Sequence, residues 1–200
     1  MKRAAPLVFL LVFFFSLWVN AMDAAAAAAL PEQVLRLRVV ARSDAPADQA
    51  DKLLARDAVL AALAPILADC PDLAGAEART AEALPDLAAA AGEALREAGT
   101  ETPVTLRLGR EACPLRAYGT FALPAGEYDS LTVTLGEGRG QNWWCVVFPP
   151  LCLAAAGEEP EAGLAVFSPE EARLLTAEDR VIRFRALELW ERLRALFGPA

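Results

Sequence analysis

Apolar and polar positions alternate from Val34 to Val40: Leu35, Leu37 and Val39 stand against Arg36 and Arg38. That period of two predicts a half-buried strand. Ser43-Asp44 then offers a helix cap, and Pro46 suits a first turn. A helix is therefore predicted from about Ala47 to Ala68, with Leu53, Leu60, Leu63 and Leu67 on one face and Pro65 as a late kink. The stretch from Ala74 to Ala98 is rich in Ala and Glu and predicts a second helix, interrupted at Pro85 and stopped by Gly99. Two further alternating runs, Val104-Leu106-Leu108 and Leu131-Val133-Leu135, predict strands, with Pro124-Ala125-Gly126 as a turn between them. A final helix from about Glu178 to Phe197 puts Ile182, Ala186, Leu189, Leu193 and Phe197 on one face. Glu188 and Arg192 form an i,i+4 pair on another. The order β-α-α-β-β-β-α predicts a single α+β domain, a mostly antiparallel sheet with helices packed on one face.

The start of the chain reads differently. Lys2 and Arg3 precede an apolar run from Leu7 to Val19, and Val19-Asn20-Ala21 offers the small residues a signal peptidase accepts. That run is shorter than the roughly 17–25 residues that span a bilayer, so cleavage is expected over anchoring. Residues 1–21 are thus read as a secretion signal, 22–30 as an Ala-rich linker and 31–200 as the folded domain, lying outside the cytoplasm. The chain carries 19 basic and 27 acidic residues, a net charge of −8 that becomes more negative once Lys2 and Arg3 are removed. Such an average argues against nucleic acid and anionic lipid as principal ligands.

The sequence has no histidine. Ser-His-Asp and Cys-His catalysis and every histidine-ligated metal site are thereby excluded, and no metal or cofactor is expected. Beyond the leader there is one lysine, Lys52, and no local signature joins it to Ser43, Ser130 or Ser168 as a Ser-Lys site.

The most unusual stretch is Gly136 to Cys152, GEGRGQNWWCVVFPPLC. Its alternating glycines predict backbone at positive φ or in close approach. In an extended chain Trp143 and Trp144 point to opposite sides, one inward and one toward a partner or a second layer. Pro149-Pro150 stops any regular element. Cys145 and Cys152 join Cys70 and Cys113 as four cysteines, with three possible connectivities. Extended, Cys145 and Cys152 would lie roughly 23 Å apart, so a bridge between them needs a reversal that Pro149-Pro150 can shape. The alternative is buried, reduced thiols. Their spacing does not suit zinc.

Other chemistries find only fragments. GEGRG lacks the third glycine of a dinucleotide loop, because Gln141 stands in its place, and no Gly-Lys-Ser/Thr follows. Glu127, Asp129 and Glu137 are carboxylates near a turn from which a cell-envelope hydrolase would be built. A thiol redox role for Cys145 and Cys152 lacks the C-x-x-C spacing. On pattern alone the helix around Lys52 is a capped amphipathic helix whose Asp48, Lys52, Arg56 and Asp57 face water.

Three blocks together resemble the stage II sporulation protein R family. The first is LRLRVVARSD (35–44) with Asp48-Gln49, Lys52 and Arg56-Asp57-Ala58-Val59. The second runs from Tyr118-Gly119 through LPAGEY (123–128) to Leu135-Gly136-Glu137-Gly138. The third is NWWCVVFPPLC (142–152), and Arg183-Phe184 and Glu188-Leu189-Trp190-Glu191 fit the family's closing helix. Arg42 departs from the pattern, where asparagine is expected. The resemblance implies a signal and not a catalyst: an exported forespore protein acting in the space between forespore and mother cell. There it would activate a membrane-embedded aspartic protease that processes the pro-form of the mother-cell sigma factor E. The residues expected to meet that partner are Asn142, Trp143, Trp144, Phe148, Pro149 and Pro150, with Asp44, Asp48, Lys52 and Asp57 on the helix. A binding surface needs rigid aromatic anchors, and these tryptophans are of that type.

Overall fold

The computed structural model describes residues 22–118, 121–150, 167–178 and 180–197. The stretch read as a secretion signal (1–21), Cys152 and the loop from Gly157 to Gly163 lie outside the described residues.

Residues 22–29, expected as a linker, are helical (α1) and run into a 3-10 turn over Leu30–Gln33. Strand β1 (Leu35–Val40) follows, then the long helices α2 (Pro46–Leu67) and α3 (Leu73–Glu97). Next come β2 (Val104–Cys113), a short hairpin of β3 (Arg116–Tyr118) and β4 (Phe121–Leu123), then β5 (Gly126–Leu135) and β6 (Asn142–Phe148). Helices α4 (Pro169–Thr176) and α5 (Arg180–Phe197) complete the described chain. The main sheet has the order β2-β5-β1-β6. Two of its ladders, β2/β5 and β1/β6, are antiparallel, and β1/β5 is parallel. The chain is an α+β domain with a mixed, mostly antiparallel sheet.

Strand alternation divides the core into two layers. Leu35, Leu37 and Val39 of β1, Leu131, Val133 and Leu135 of β5, and Cys145 and Val147 of β6 pack beneath α2 and α3. The opposite face is covered as well: Tyr128, Trp144 and Val146 pack with Phe121 and Leu123 of the hairpin, Leu174 and Leu175 of α4, and Phe184 of α5. Arg36 is therefore fully buried and β1 is enclosed on both sides. The half-buried strand read from the alternating pattern was wrong on this point, because polarity at position 36 does not mean exposure when aromatic rings and a hydroxyl receive the charge.

The helices depart from expectation in instructive ways. In α2 the buried positions are Asp48, Lys52, Ala55, Val59, Leu63 and Leu67, whereas Leu53 is exposed. Its N-cap is Ala45, with Pro46 in the first turn and no side-chain cap, because the Ser43 hydroxyl is directed at Asp48. In α3 the Asp72 side chain accepts from the Gly75 amide at 2.8 Å, and the helix runs through Pro85 without a break. Gly99, at φ 83°, ends it as predicted. The Ser168–Glu171 capping box of α4, a legible S-x-x-E signal, went unread. Glu188 pairs with Arg185 at 3.0 Å, one turn back, and not with Arg192.

Candidate functional site

One rim of the sheet gathers the end of β1, the first turns of α2 and the β5–β6 connection. Gly136 and Gly138 take φ of 55° and 61°, left-handed values that favour glycine, as the alternating glycines predicted. Gly140 shows the second anticipated device, close approach: a Cβ there would lie 2.3 Å from the Ser43 carbonyl oxygen. The Gly140 amide donates to Ala41 O at 2.9 Å, and the Arg139 amide to Arg42 O at 3.2 Å. The glycines thus let the loop lie flat on the strand-to-helix connection.

Side chains lock that contact. Asp44 accepts from the Gln141 amide at 2.8 Å. The Lys52 ammonium donates to the Gln49 side chain at 2.6 Å and to the Gln141 carbonyl at 3.3 Å. Gln49 in turn donates to Ser43 O at 2.9 Å. Asp48 accepts from the Ser43 hydroxyl and pairs with Arg42 at 3.0 Å. Asp48 and Lys52 are both buried, which corrects the view that these charges face water. The Ser43 hydroxyl, and after it the Arg42 guanidinium, hold the Asp48 carboxyl below the usual carboxylate range against the effect of burial. Burial, with Arg56 nearby, pushes the Lys52 ammonium down. Arg42, the departure from the family pattern, supplies the cation for Asp48. This rim joins the first resemblance block to the connection between the second and third as one polar latch.

Beside the latch, β6 forms an edge of the sheet, since it pairs only with β1 among the described residues. Its tryptophans divide as the extended geometry required. Trp144 is 9% exposed and faces the second layer, whereas Trp143 is 37% exposed on the α2 side. The guanidinium carbon of Arg56 sits 4.4 Å from the Trp143 ring centroid, and Arg56 bridges the exposed Asp57 at 2.7 Å. Further along the same edge, α2 and β6 enclose an apolar groove of about 190 Å³. Leu60, Leu63 and Leu67 form one wall, and Val147 and Pro150 the other. Of the partner-binding candidates, Asn142, Trp143, Pro150, Asp44 and Asp57 are exposed, whereas Trp144, Phe148, Pro149, Asp48 and Lys52 are buried and shape the surface from beneath. Arg56 and Gln141 were not among those candidates. Arg56 was legible only as a helical neighbour of Lys52, and nothing in the sequence marked Gln141 as the loop's anchor.

Behind Trp144 lies a second polar cluster. Arg36 donates to Tyr118 Oη at 2.9 Å and lies 5.0 and 5.2 Å from the Tyr128 and Trp144 ring centroids. Arg38 lies 5.2 Å from the Trp144 ring and bridges Glu111 at 3.0 Å. Trp144 is therefore held between two guanidinium groups.

Glu137 does not converge with the other two turn carboxylates. Glu127 and Asp129 open β5, and Glu137 follows its end, roughly 27 Å beyond Asp129 for an extended strand. A glycosidase pair needs about 5–9.5 Å. Glu137 pairs with Arg139 in solvent, and Asp129 lies 3.8 Å from Arg110. Burial, then the neighbouring Asp129, pushes the Glu77 carboxyl up. Cys70 and Cys113 are free, and burial pushes the Cys113 thiol up to about 11. Cys145 is disulfide-bonded; the partner proposed from sequence, Cys152, lies outside the described residues.

Residues 31–158 match the model of the family described as stage II sporulation protein R. The chain is 37% identical over 123 residues to the stage II sporulation protein R of Bacillus subtilis (strain 168), an alignment covering 62% of this chain and 55% of that protein. The chain thus matches about half the length of that relative. No solved structure matches. The matched span contains the latch, both tryptophans and the groove, and on it the chain belongs to the stage II sporulation protein R family.

Proposed function

We propose that this chain is an exported signalling protein of sporulation, acting in the space between forespore and mother cell. There it activates a membrane-embedded aspartic protease that processes the pro-form of sigma factor E. The reading rests on family membership and on one observation. The family's most distinctive block forms an edge strand that presents Trp143, braced by Arg56, at one end of an apolar groove. An exposed aromatic on a rigid base beside an apolar groove fits capture of another protein. The glycine latch holds that edge in place, which lowers the ordering cost of association. A hydrolase reading is less well supported, because Glu137 lies beyond the end of β5, far from Asp129, and pairs with Arg139 in solvent.

The test is co-expression of the exported chain with the candidate protease and the pro-sigma factor in a heterologous cell. Conversion of precursor to the mature form, dependent on this chain, is the expected result. A folded, exported chain that leaves the precursor intact in the presence of active protease refutes it.

A further inference from the structure

The apolar face expected to bury α5 points away from the domain. Phe184 and the half-buried Leu187 face inward, yet Ile182 is 73% and Leu189 59% exposed, with Ala186 exposed between them. These positions lie on one helical stripe (i, i+4, i+7), and Leu193 and Phe197 continue the spacing in sequence. The helix therefore carries two apolar faces, of which the domain covers one. Its charge is also distinct. Across Arg180–Phe197 there are five arginines and two glutamates, in a chain whose net charge is −8. Arg185 and Arg192 are exposed and fall beside the Ile182–Leu189 stripe.

We infer that α5 is an interfacial helix that lies on an anionic lipid bilayer. A helix with an exposed apolar stripe flanked by arginines combines acyl-chain burial with attraction to acidic headgroups. The acidity of the whole chain argued against such a surface, but attraction acts over about a Debye length, roughly 10 Å at 0.1 M salt, so the local helix decides and the average does not. The start of the described chain adds an independent argument. Asp23 of α1 accepts from Arg173 at 3.1 Å and from Arg183 of α5 at 2.9 Å. Residue 22 is thereby held beside α5, and in sequence the apolar run from Leu7 to Val19 ends three residues earlier. If that run is kept, it joins the domain at residue 22, the end that carries the α5 stripe. The inference does not depend on the protease reading.

The experiment uses the full chain with Leu189→Cys in a Cys70→Ser background, labelled with an environment-sensitive dye. Cys113 is buried with a raised pKa and does not compete for label. Vesicles rich in phosphatidylglycerol are expected to lower iodide quenching of the dye about fivefold or more, and phosphatidylcholine vesicles to lower it much less. A label at Leu54→Cys, exposed on α2, should stay fully quenchable, and Arg185→Glu with Arg192→Glu should remove most of the protection at Leu189. A chain held to vesicles only by its N-terminal run leaves both dyes equally quenched and overturns the inference. So does protection at Leu189 that needs no lipid and rises with protein concentration, which marks a second copy, or protection that appears only with a protein partner.

Discussion

Beneath α2 and α3, strands β1, β5 and β6 present Leu37, Val39, Leu131, Val133 and Val147, aliphatic side chains against aliphatic helix faces. From the other side of the same strands come Arg36, Arg38, Ser130, Thr132 and Trp144, covered by a hairpin and two C-terminal helices. The first face is held by transfer of apolar surface from water, which tolerates exchange of similar shapes. The second depends on guanidinium groups placed between rings and hydroxyls, where each partner left alone is a buried polar group without compensation. The aliphatic face accounts for why the domain folds, and the cationic-aromatic face for why β6 can offer one tryptophan outward while anchoring the next.

Trp144→Ala should cost most, about 3–5 kcal/mol, because it leaves a cavity and removes the ring between Arg36 and Arg38. Leu37→Ala on the aliphatic face should cost about 2–5 kcal/mol. The contrast sharpens with conservative changes. Leu37→Met should recover nearly all of the stability, whereas Trp144→Leu should recover little, since no aliphatic group replaces the ring. Equal recovery in chemical denaturation would break the comparison.

Cys145 sits on the aliphatic face, opposite Leu37 in the β1/β6 register. If its disulfide partner is Cys152, the bridge closes the turn after β6, and Cys145→Ser should lower stability by about 2–5 kcal/mol. Mass spectrometry of the unreduced protein should show a Cys145–Cys152 peptide pair that separates on reduction. Quantitative alkylation of Cys145 in the native protein would refute the bridge.

The aliphatic face was largely legible, because Leu35-Leu37-Val39, Val104-Leu106-Leu108 and Leu131-Val133-Leu135 carry the strand period directly. The parallel pairing of β1 with β5 was not, since register between distant strands leaves no local trace. Patterns read polar residues as exposed, and that rule failed at Arg36 and Lys52, whose partners Tyr118 and Gln141 lie far along the chain, and at Asp48, which is held by Arg42 and Ser43 just before its helix. The same rule placed Leu53 inward and Lys52 outward in the first half of α2, whereas Leu63 and Leu67 are buried as expected. In α5 it chose the more apolar stripe as the buried one. At the candidate site, the glycines and the division between the tryptophans were foreseen from backbone geometry. The latch of Asp44 and Lys52 on Gln141 was not, as hydrogen-bond partners 97 and 89 positions apart have no periodicity to reveal them.

At the rim where the two faces meet, Asp48→Asn should cost about 1–3 kcal/mol at neutral pH, because it weakens a buried charge-assisted network. The folded-state pKa of Asp48 lies below its unfolded value near 3.9, so the native state releases this proton more readily. Its contribution is complete above about pH 5 and is lost as pH falls through the unfolded and then the folded pKa. Stability of the parent should therefore drop more steeply than that of Asp48→Asn between about pH 5 and pH 2. Parallel acid limbs in urea titrations would show that Asp48 gains nothing from Ser43 and Arg42.

The smallest effect on stability, and the largest on signalling, is expected at Trp143. Its ring lies over Arg56 at the sheet edge and is already more than a third exposed, so truncation leaves no enclosed cavity. The stacking itself is worth about 0.5–1 kcal/mol at such a site. Trp143→Ala should thus melt within a few degrees of the parent, in contrast to Trp144→Ala on the opposite face. Removal of an exposed anchor can still cost about 2 kcal/mol or more of binding, close to thirtyfold in affinity. Precursor processing in the co-expression assay should fall accordingly, while the amount of exported protein stays unchanged. Arg56→Ala should give a weaker version of the same loss, since it frees the ring without removing it. If Trp143→Ala signals normally, the groove beyond it becomes the contact to test, and Leu60→Glu at its mouth is the variant that distinguishes the two. If Trp143→Ala unfolds as Trp144→Ala does, the edge belongs to the core and the contrast between the faces does not extend to function.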